Sequence, residues 1–178
     1  SAPGTKATHL AALMGDRGEV VAVERNPDRA RELGDNAHRL GAASVRVVEG
    51  DARDDHGRGF DRVLVDPPCT GLGTLRGHPD LRWRATPQSA EALAKLQREI
   101  LQAARAAVRP GGTIVYSVCT VNPAESEDVV DAVTGLTPED LHDDHPLWKH
   151  PRVPRHLLTL PHRDGTDGFF IARLRRDA

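Results

Sequence analysis

The chain has 178 residues, of which 38% are hydrophobic, 28% are charged and 3% are aromatic, and its formal net charge is −2. This length suffices for one domain with an aliphatic core, and the balance is ordinary for a soluble protein. No apolar run approaches the ~20 residues of a membrane span, and the N-terminus lacks a signal-peptide pattern. Because there are only two cysteines, we expect a reducing compartment, hence a cytoplasmic protein.

Apolar segments of strand and helix character alternate along the chain. In order, we predict a helix over 5–14, a strand over 19–24, a helix over 27–41, a strand and turn over 44–52, a strand over 60–66, a loop over 67–87, a helix over 87–108, a strand over 113–118, a helix over 123–133, an irregular loop over 134–156 and two strands within 157–174. This alternation predicts an α/β fold, with a parallel sheet covered by helices on both faces.

The segment SAPGTK at 1–6 is typical of a turn that leads into a helix, but no strand precedes it. A doubly wound sheet begins with a strand at its centre. We therefore expect a fragment of such a fold, whose first central strand is missing. The sequence shows no internal repeat and no second domain, so residues 1–178 are interpreted as one domain.

Two cysteines follow apolar strands in similar contexts. Cys69 lies in DPPC, after the strand 60–66, and Cys119 lies in SVCT, after the strand 113–118. Ligands of parallel sheets bind beyond the carboxyl ends of the strands, so both cysteines should face one crevice. Pro67 and Pro68 cannot continue a strand and should make a rigid lip that holds Asp66 and Cys69.

Acidic residues end two other strands. Glu24 ends the strand 19–24 and suits a hydrogen bond to a ribose hydroxyl, while Asp51 follows the next strand. Together with the turn at 2–6 they match the order of contacts to an adenosine ligand, although each acid alone could be an ordinary surface residue. The absence of G-x-G-x-x-G argues against a nicotinamide enzyme.

The loop 74–86 is rich in arginine. Arg76, Arg82 and Arg84, with Trp83 among them, suit phosphate contact and base stacking, or simply a solvated loop. The histidines and acids of HDDH at 142–145 have no partnering cluster, so we predict no metal site.

Three segments in order resemble one family: DPPCTGLGTLRGHPDLRW, LQREILQAARAAVRPGGTIVYSVCTVNPAESEDVV and GTDGFFIARL. They look like the Sun/Fmu-type RNA cytosine-5 methyltransferases, a family that includes bacterial 16S rRNA enzymes. The resemblance implies a Rossmann-like, S-adenosylmethionine-dependent fold, with a mostly parallel sheet and an antiparallel C-terminal strand. Residues 1–178 would be the catalytic domain, without the family's first strand and its N-terminal RNA-binding region.

The resemblance also implies catalytic roles. Cys119 would be the nucleophile that adds to cytosine C6, and Cys69 would assist removal of the C5 proton and release of the enzyme. Asp66 would hydrogen-bond the cytosine ring, with Pro67 and Pro68 fixing its place. The target base must leave its stack to reach such a pocket.

For the cofactor, SAPGTKA resembles the family's first motif, Ala-Ala-Pro-Gly-Gly-Lys-Thr. Thr5 replaces the second glycine and adds a Cβ where bare backbone would approach the ligand. The implied S-adenosylmethionine residues are Ser1, Ala2, Pro3, Gly4, Thr5, Lys6, Glu24, Arg29, Asp51 and Asp66. The implied RNA-binding residues are Pro67, Pro68, Arg76, Arg82 and Arg84.

Three functional hypotheses follow. The leading one is an RNA cytosine-5 methyltransferase domain that acts on ribosomal RNA, with transfer RNA as another possible substrate and with no metal and no membrane partner. The second is an RNA-binding or assembly module with weak or no catalysis, motivated by the altered cofactor turn and the missing strand. The third is a thiol redox switch formed by Cys69 and Cys119. The sequence leaves the oligomeric state and the modified nucleotide open.

Overall fold

A computed structural model describes residues 1–178, which divide into two compact units, Ser1–His56 and Gly57–Ala178. The first unit consists of α1 (Thr5–Leu13), β1 (Val20–Glu24), α2 (Pro27–Arg39) and β2 (Val45–Glu49). β1 and β2 are parallel and pair in register from Val20 with Val45 to Glu24 with Glu49. Leu33 of α2 is fully buried and packs with Ala7 and Ala22.

Helix α2 begins where the sequence provides a cap. The Asn26 side chain accepts a hydrogen bond from the Arg29 amide (3.0 Å), and Pro27 occupies the first helical position. Pro is suited to that position because its missing N–H would have no partner inside the helix. These residues fix the start of α2 directly after β1, so the end of β1 lies next to a helix N-terminus.

The second unit is a five-stranded mixed sheet with helices. Its elements are β3 (Phe60–Val65), α3 (Leu81–Arg84), α4 (Pro87–Ala107), β4 (Val108–Val118), α5 (Glu127–Asp131), β5 (Leu136–Glu139), β6 (Leu157–Thr159), α6 (Pro161–Asp164) and β7 (Phe169–Arg176), with 3-10 turns at Leu72–Thr74, Pro123–Glu125 and Pro146–Trp148. The strand order is β3-β4-β7-β5, and β6 also pairs with β7. β3 and β4 are parallel, whereas β7 is antiparallel to β4, β5 and β6.

The α/β class and the antiparallel C-terminal strand are thus confirmed. α4, the longest helix, begins with a capping box in which Thr86 and Ser89 satisfy each other's backbone amides. The core of the unit lies between α4 and the sheet and includes Leu101, Tyr116 and Phe170, all fully buried.

Several predicted elements differ from the structure, among them the loop 67–87, which contains a 3-10 turn and α3. The supposed loop 134–156 contains β5 and a 3-10 turn. The supposed helix 123–133 is a 3-10 turn followed by the short α5. β4 begins at Val108, and its pairing with β3 is irregular between Phe60 and Arg62. No helix in the structure combines the length and the apolar character that crossing a membrane requires.

Candidate active site

The carboxyl ends of β3 and β4 bring the two cysteines together. These parallel strands pair in register up to Val65 and Tyr116. Cys119 directly follows β4, and Cys69 follows β3 by four residues. Their Sγ atoms lie 3.3 Å apart, so the two cysteines that were predicted to face one crevice are in contact.

The two thiols are half-buried and are not joined by a disulfide. Their separation exceeds the ~2.05 Å of a sulfur–sulfur bond but permits a hydrogen bond between them. The contact with Cys119, followed by burial, raises the pKa of the Cys69 thiol well above its ordinary value. Cys69 is therefore a protonated thiol at neutral pH. The two sulfurs are also close enough to form a disulfide on oxidation, as the hypothesis of a redox switch requires.

A side chain of α4 anchors the DPPC segment. Pro67 is buried, and the carbonyl of Pro68 accepts a hydrogen bond from Nε2 of Gln97 on α4 (2.8 Å). Gln97 itself is fully buried. The side chain of Asp66 is exposed at the end of β3. The structure thus anchors the proline lip to α4, while the proposed contacts of Asp66 with a base or a cofactor stay predictions.

Sequence reasoning missed Glu125, which is fully buried behind the cysteines. Its Oε1 accepts from the Thr70 amide (2.8 Å), and its Oε2 accepts from the Thr70 hydroxyl (2.5 Å). The Thr120 hydroxyl lies 3.4 Å from the same Oε2. The neighbouring sequence does not indicate that Glu125 is buried, because a segment such as PAESED at 123–128 is typical of an exposed helix start. The pattern that could have revealed it is the repeated Cys-Thr, at Cys69 and at Cys119.

Two glycines hold the backbone of Cys119. The Gly73 amide donates to the Cys119 carbonyl (3.0 Å), and the Gly168 amide donates to the Gly73 carbonyl (2.8 Å). A Cβ on Gly73 would collide with the backbone of Gly168 and would lie 2.9 Å from the Cys119 carbonyl oxygen. Only a glycine lets these three segments approach so closely. Gly73 of GLG and Gly168 of TDG therefore fix the backbone position of Cys119.

The predicted RNA-contact loop is solvent-exposed. Arg76, Arg82 and Arg84 are exposed, and the Trp83 side chain is 82% exposed. Within this loop Arg82 donates to the Pro79 carbonyl (3.1 Å). Arg84 pairs with Asp80 at 3.4 Å, and the role of these arginines in RNA binding stays a prediction.

In the first unit, Glu24 organises the predicted cofactor turn. Its Oε2 accepts from the Ser1 amine (2.9 Å) and the Ala2 amide (3.0 Å), and its Oε1 accepts from the Asn26 amide (3.1 Å). Burial alone would raise the pKa of Glu24, but hydrogen bonds such as those from the Ala2 and Asn26 amides oppose it and lower the pKa. The Arg29 guanidinium completes the cluster by donating to the Ala2 carbonyl (2.9 Å).

Asp51 lies beside this cluster, after β2. Hydrogen bonds from the side chain and amide of Arg53 hold the pKa of Asp51 far below its usual range, and Arg25 at 3.8 Å adds to the effect. The Gly50 amide donates to the Glu24 carbonyl (3.1 Å), which joins the ends of β1 and β2. The order of turn, Glu24 and Asp51 predicted for an adenosine ligand is therefore present in one unit.

The substituted cofactor turn is compatible with a ligand. Gly4 has φ +103°, a left-handed conformation, whereas Thr5 is the first residue of α1 and has no positive φ. The Thr5 side chain therefore causes no backbone strain, and it is exposed. A carboxylate offers about four acceptor sites. Since three are used by the turn and by Asn26, Glu24 keeps capacity for a ribose hydroxyl. The residues present thus fit S-adenosylmethionine.

Comparison with known proteins gives a consistent result. The family model for "16S rRNA methyltransferase RsmB/F" matches residues 1–175. A Synechocystis protein named "Probable ribosomal RNA small subunit methyltransferase B" is 42% identical over 186 residues, covering 99% of this chain and 42% of the relative. "Ribosomal RNA small subunit methyltransferase F" of Salmonella paratyphi A is 39% identical over 188 residues, covering 99% of this chain and 39% of the relative.

Among solved structures, NSun6 from Pyrococcus horikoshii, determined with SFG, superposes with a TM-score of 0.90 at 36% identity. The match covers all of this chain and 46% of that protein. The chain thus spans about two fifths of the length of the curated relatives it matches.

Proposed function

Because the chain belongs to the 16S rRNA methyltransferase RsmB/F family, we propose that it transfers a methyl group from S-adenosylmethionine to C5 of a cytosine in RNA. Ribosomal RNA is the favoured substrate, since the relatives are named for it, and transfer RNA is the second one to test. Residues 1–178 act in this proposal as the methyltransferase catalytic domain. The observation that carries the proposal is the pair of thiols 3.3 Å apart beyond β3 and β4.

The chemistry calls for a nucleophile because cytosine C5 is weakly reactive. The Cys119 thiolate adds to C6, and the electrons of the C5–C6 double bond become available at C5. S-adenosylmethionine supplies a methyl group on a positively charged sulfur and leaves as S-adenosylhomocysteine. A bond forms between C5 and the methyl carbon as the bond from that carbon to sulfur breaks.

Cys69 acts in the second half of the reaction. A base takes up the C5 proton, either a water molecule or the Cys69 sulfur after its own proton has passed to solvent. The C5–C6 double bond then re-forms, the bond between C6 and the Cys119 sulfur breaks, and Cys119 leaves as a thiolate. Cys69 assists this step, and its contact with the Cys119 sulfur supports that role. The raised pKa of Cys69 keeps it a neutral thiol in the resting site, and the same high pKa makes its sulfur a strong proton acceptor once that thiol has ionised.

Asp66 hydrogen-bonds the cytosine ring and stabilises charge that develops during addition. Its place at the end of β3, followed by the anchored prolines, supports this assignment. The same residue is also proposed to contact the cofactor. Arg76, Arg82 and Arg84 bind RNA phosphates, and Trp83 stacks on an unpaired base.

The cofactor contacts are proposed for the first unit and are supported by a relative. SFG is an analogue of S-adenosylmethionine, and NSun6 was solved with it. In the present chain Glu24 accepts from the ribose and Asp51 accepts from the adenine amino group. The turn Ser1–Lys6 and Arg29 complete the site, because they share hydrogen bonds with Glu24 and with Ala2.

The test is transfer of a labelled methyl group from S-adenosylmethionine to small-subunit rRNA and to tRNA, with the product nucleoside identified by mass. We expect 5-methylcytidine with the wild type and none with Cys119→Ala. Methylation of adenine or of a ribose hydroxyl would contradict the proposal.

The alternative, an RNA-binding module without catalysis, predicts RNA binding but no calorimetric heat with millimolar S-adenosylmethionine. The fit of the Thr5-containing turn favours the enzyme.

A further inference from the structure

The two cysteines are each followed by a threonine, and the threonines meet as the cysteines do. The Thr70 and Thr120 hydroxyl oxygens lie 3.2 Å apart, behind the sulfurs that lie 3.3 Å apart. The Glu125 carboxylate bonds both threonines, and it bonds Thr70 twice, through the amide and the hydroxyl. One side chain thus links the two segments that carry the thiols.

The environment of Glu125 is unusual for an acid. The residue is 0% exposed, and Nε2 of Gln97 adds a donor to Oε1 at 3.2 Å. All of these donors are neutral: one amide N–H, two hydroxyls and one side-chain amide. A buried carboxylate without a cation is costly unless each oxygen is satisfied by hydrogen bonds. An apolar side chain would avoid that cost but would leave the buried Thr70 amide without its acceptor, whereas the carboxylate bonds both threonines at once.

We propose that Glu125 is a positioning residue for the two thiols, which sets the separation of Cys69 and Cys119 by tying together Thr70 and Thr120. Its catalytic consequence rests on the proposed function, whereas the geometric claim does not.

Gln97 connects Glu125 to the DPPC segment. Its Nε2 donates both to Glu125 and to the Pro68 carbonyl. The main chain is fixed as well, because the Tyr116 hydroxyl donates to the Glu125 carbonyl (2.7 Å). Glu125 therefore has a defined position relative to β4, and the threonines are held against it.

The charge of Glu125 has a second effect. After the contact with Cys119 and after burial, the Glu125 carboxylate also contributes to the raised pKa of Cys69. Removing that charge should therefore ease ionisation of Cys69. A residue that only stabilised the fold would not change thiol titration.

The first test compares Glu125→Gln with Glu127→Gln. Glutamine preserves the shape and its amide oxygen can accept from the Thr70 amide, but an NH₂ group in the place of Oε2 cannot accept the hydrogen bonds that the Thr70 and Thr120 hydroxyls donate there. Glu127 is a matched control, since it is a buried acid two residues on that pairs with Arg152 (2.6 Å) and not with the threonines.

We expect kcat for methyl transfer to fall at least about tenfold in Glu125→Gln, with the KM values for RNA and cofactor little changed. Glu127→Gln should retain kcat within about twofold. Equal kcat values for the two variants, or a change confined to KM, would overturn the proposal.

The second test needs neither RNA nor cofactor. Glutathione disulfide oxidises the two thiols to a Cys69–Cys119 disulfide and is itself reduced to two glutathione thiols, so the equilibrium constant reports how well the sulfurs are held together. We expect this constant to fall at least about fivefold in Glu125→Gln and to stay unchanged in Glu127→Gln. An unchanged constant in Glu125→Gln would overturn the geometric claim.

Thr120→Val is measured in parallel, because it removes one link and leaves the carboxylate with its other donors. We expect a smaller fall in the equilibrium constant for disulfide formation. A value equal to that of the wild type would contradict a positioning role for the hydrogen bond between Thr120 and Glu125. If the wild type transfers no methyl group but Glu125→Gln shifts the disulfide equilibrium, the proposed function fails and the positioning role stands. If the wild type is active and the equilibrium does not respond, only the positioning role fails.

Discussion

The Sγ atoms of Cys69 and Cys119 lie 3.3 Å apart although fifty residues separate them in the chain. The pairing of β3 with β4 brings the two segments to the same edge of the sheet. Such a contact between two reduced thiols permits one sulfur to act as nucleophile while its neighbour takes part in a later step of the same reaction.

The first prediction concerns release of the RNA. Cys69→Ala should accumulate a covalent protein–RNA adduct, because Cys119 can still attack C6 while elimination is slowed. A denaturing gel with labelled RNA measures the adduct, and the double variant Cys69→Ala/Cys119→Ala is the control that should form none. An adduct in Cys119→Ala and its absence in Cys69→Ala would reverse the roles of the two cysteines.

A second prediction concerns the close approach of backbones beside Cys119. Gly73→Ala should lower the unfolding free energy by about 1–3 kcal/mol, because the new Cβ would collide with the Gly168 backbone and press on the Cys119 carbonyl. The rate of methyl transfer should fall with it.

Gly77→Ala, in the same loop, is the matched control, since its Cβ would meet only the Thr74 carbonyl oxygen at 3.9 Å. Denaturant unfolding of both variants measures the difference. Equal stability of the two would show that the segments around Gly73 can move apart freely.

The third prediction concerns the cofactor. Glu24→Gln should weaken S-adenosylmethionine binding at least about tenfold, because it removes the charged acceptor that organises the Ser1–Ala2 turn and that would bind the ribose. Calorimetry measures the affinity. Glu19→Gln is the control, since Glu19 is half-exposed and its carboxylate pairs with Arg46 instead (2.6 Å). Unchanged affinity in Glu24→Gln would remove Glu24 from the cofactor site.

The fourth prediction concerns pH. His156 is 1% exposed, and burial lowers its pKa from 6.5 to about 4. The folded state therefore holds the ring neutral, while the unfolded state protonates it below about pH 6.5. Its contribution to stability is complete above that pH and is lost as the pH falls towards 4.

The measurement compares unfolding free energies at about pH 7.5 and about pH 4.5. The loss between them should be smaller in His156→Gln than in the wild type by about 2 kcal/mol. His162→Gln, at an exposed position, should lose as much as the wild type. An equal loss in all three proteins would mean that His156 does not contribute to acid sensitivity.

Local patterns were enough for the elements with strong signals. The long helix α4 and the apolar runs of β1, β3 and β4 follow from periodicity. The site at the ends of β3 and β4 followed from two further facts, that parallel strands share an edge and that DPPC and SVCT each place a cysteine there.

The missed features depend on contacts between distant residues. β5 contains Pro138 and polar residues, and it is a strand because it pairs with β7. Pro110 stands inside β4 because the ladder with β7 starts only at Thr113.

Glu125 is buried because Thr70, fifty-five residues earlier, donates to it. No window of neighbouring residues contains that information.

The exposed side chain of Trp83 has a practical consequence. The chain has only two tryptophans, and Trp148 stacks on His145 with ring centroids 5.3 Å apart, whereas Trp83 is 82% exposed among arginines. A base stacked on that indole would change its fluorescence emission. Trp83 thus offers an intrinsic optical probe, with which docking of unlabelled RNA can be timed separately from the chemistry at the cysteines.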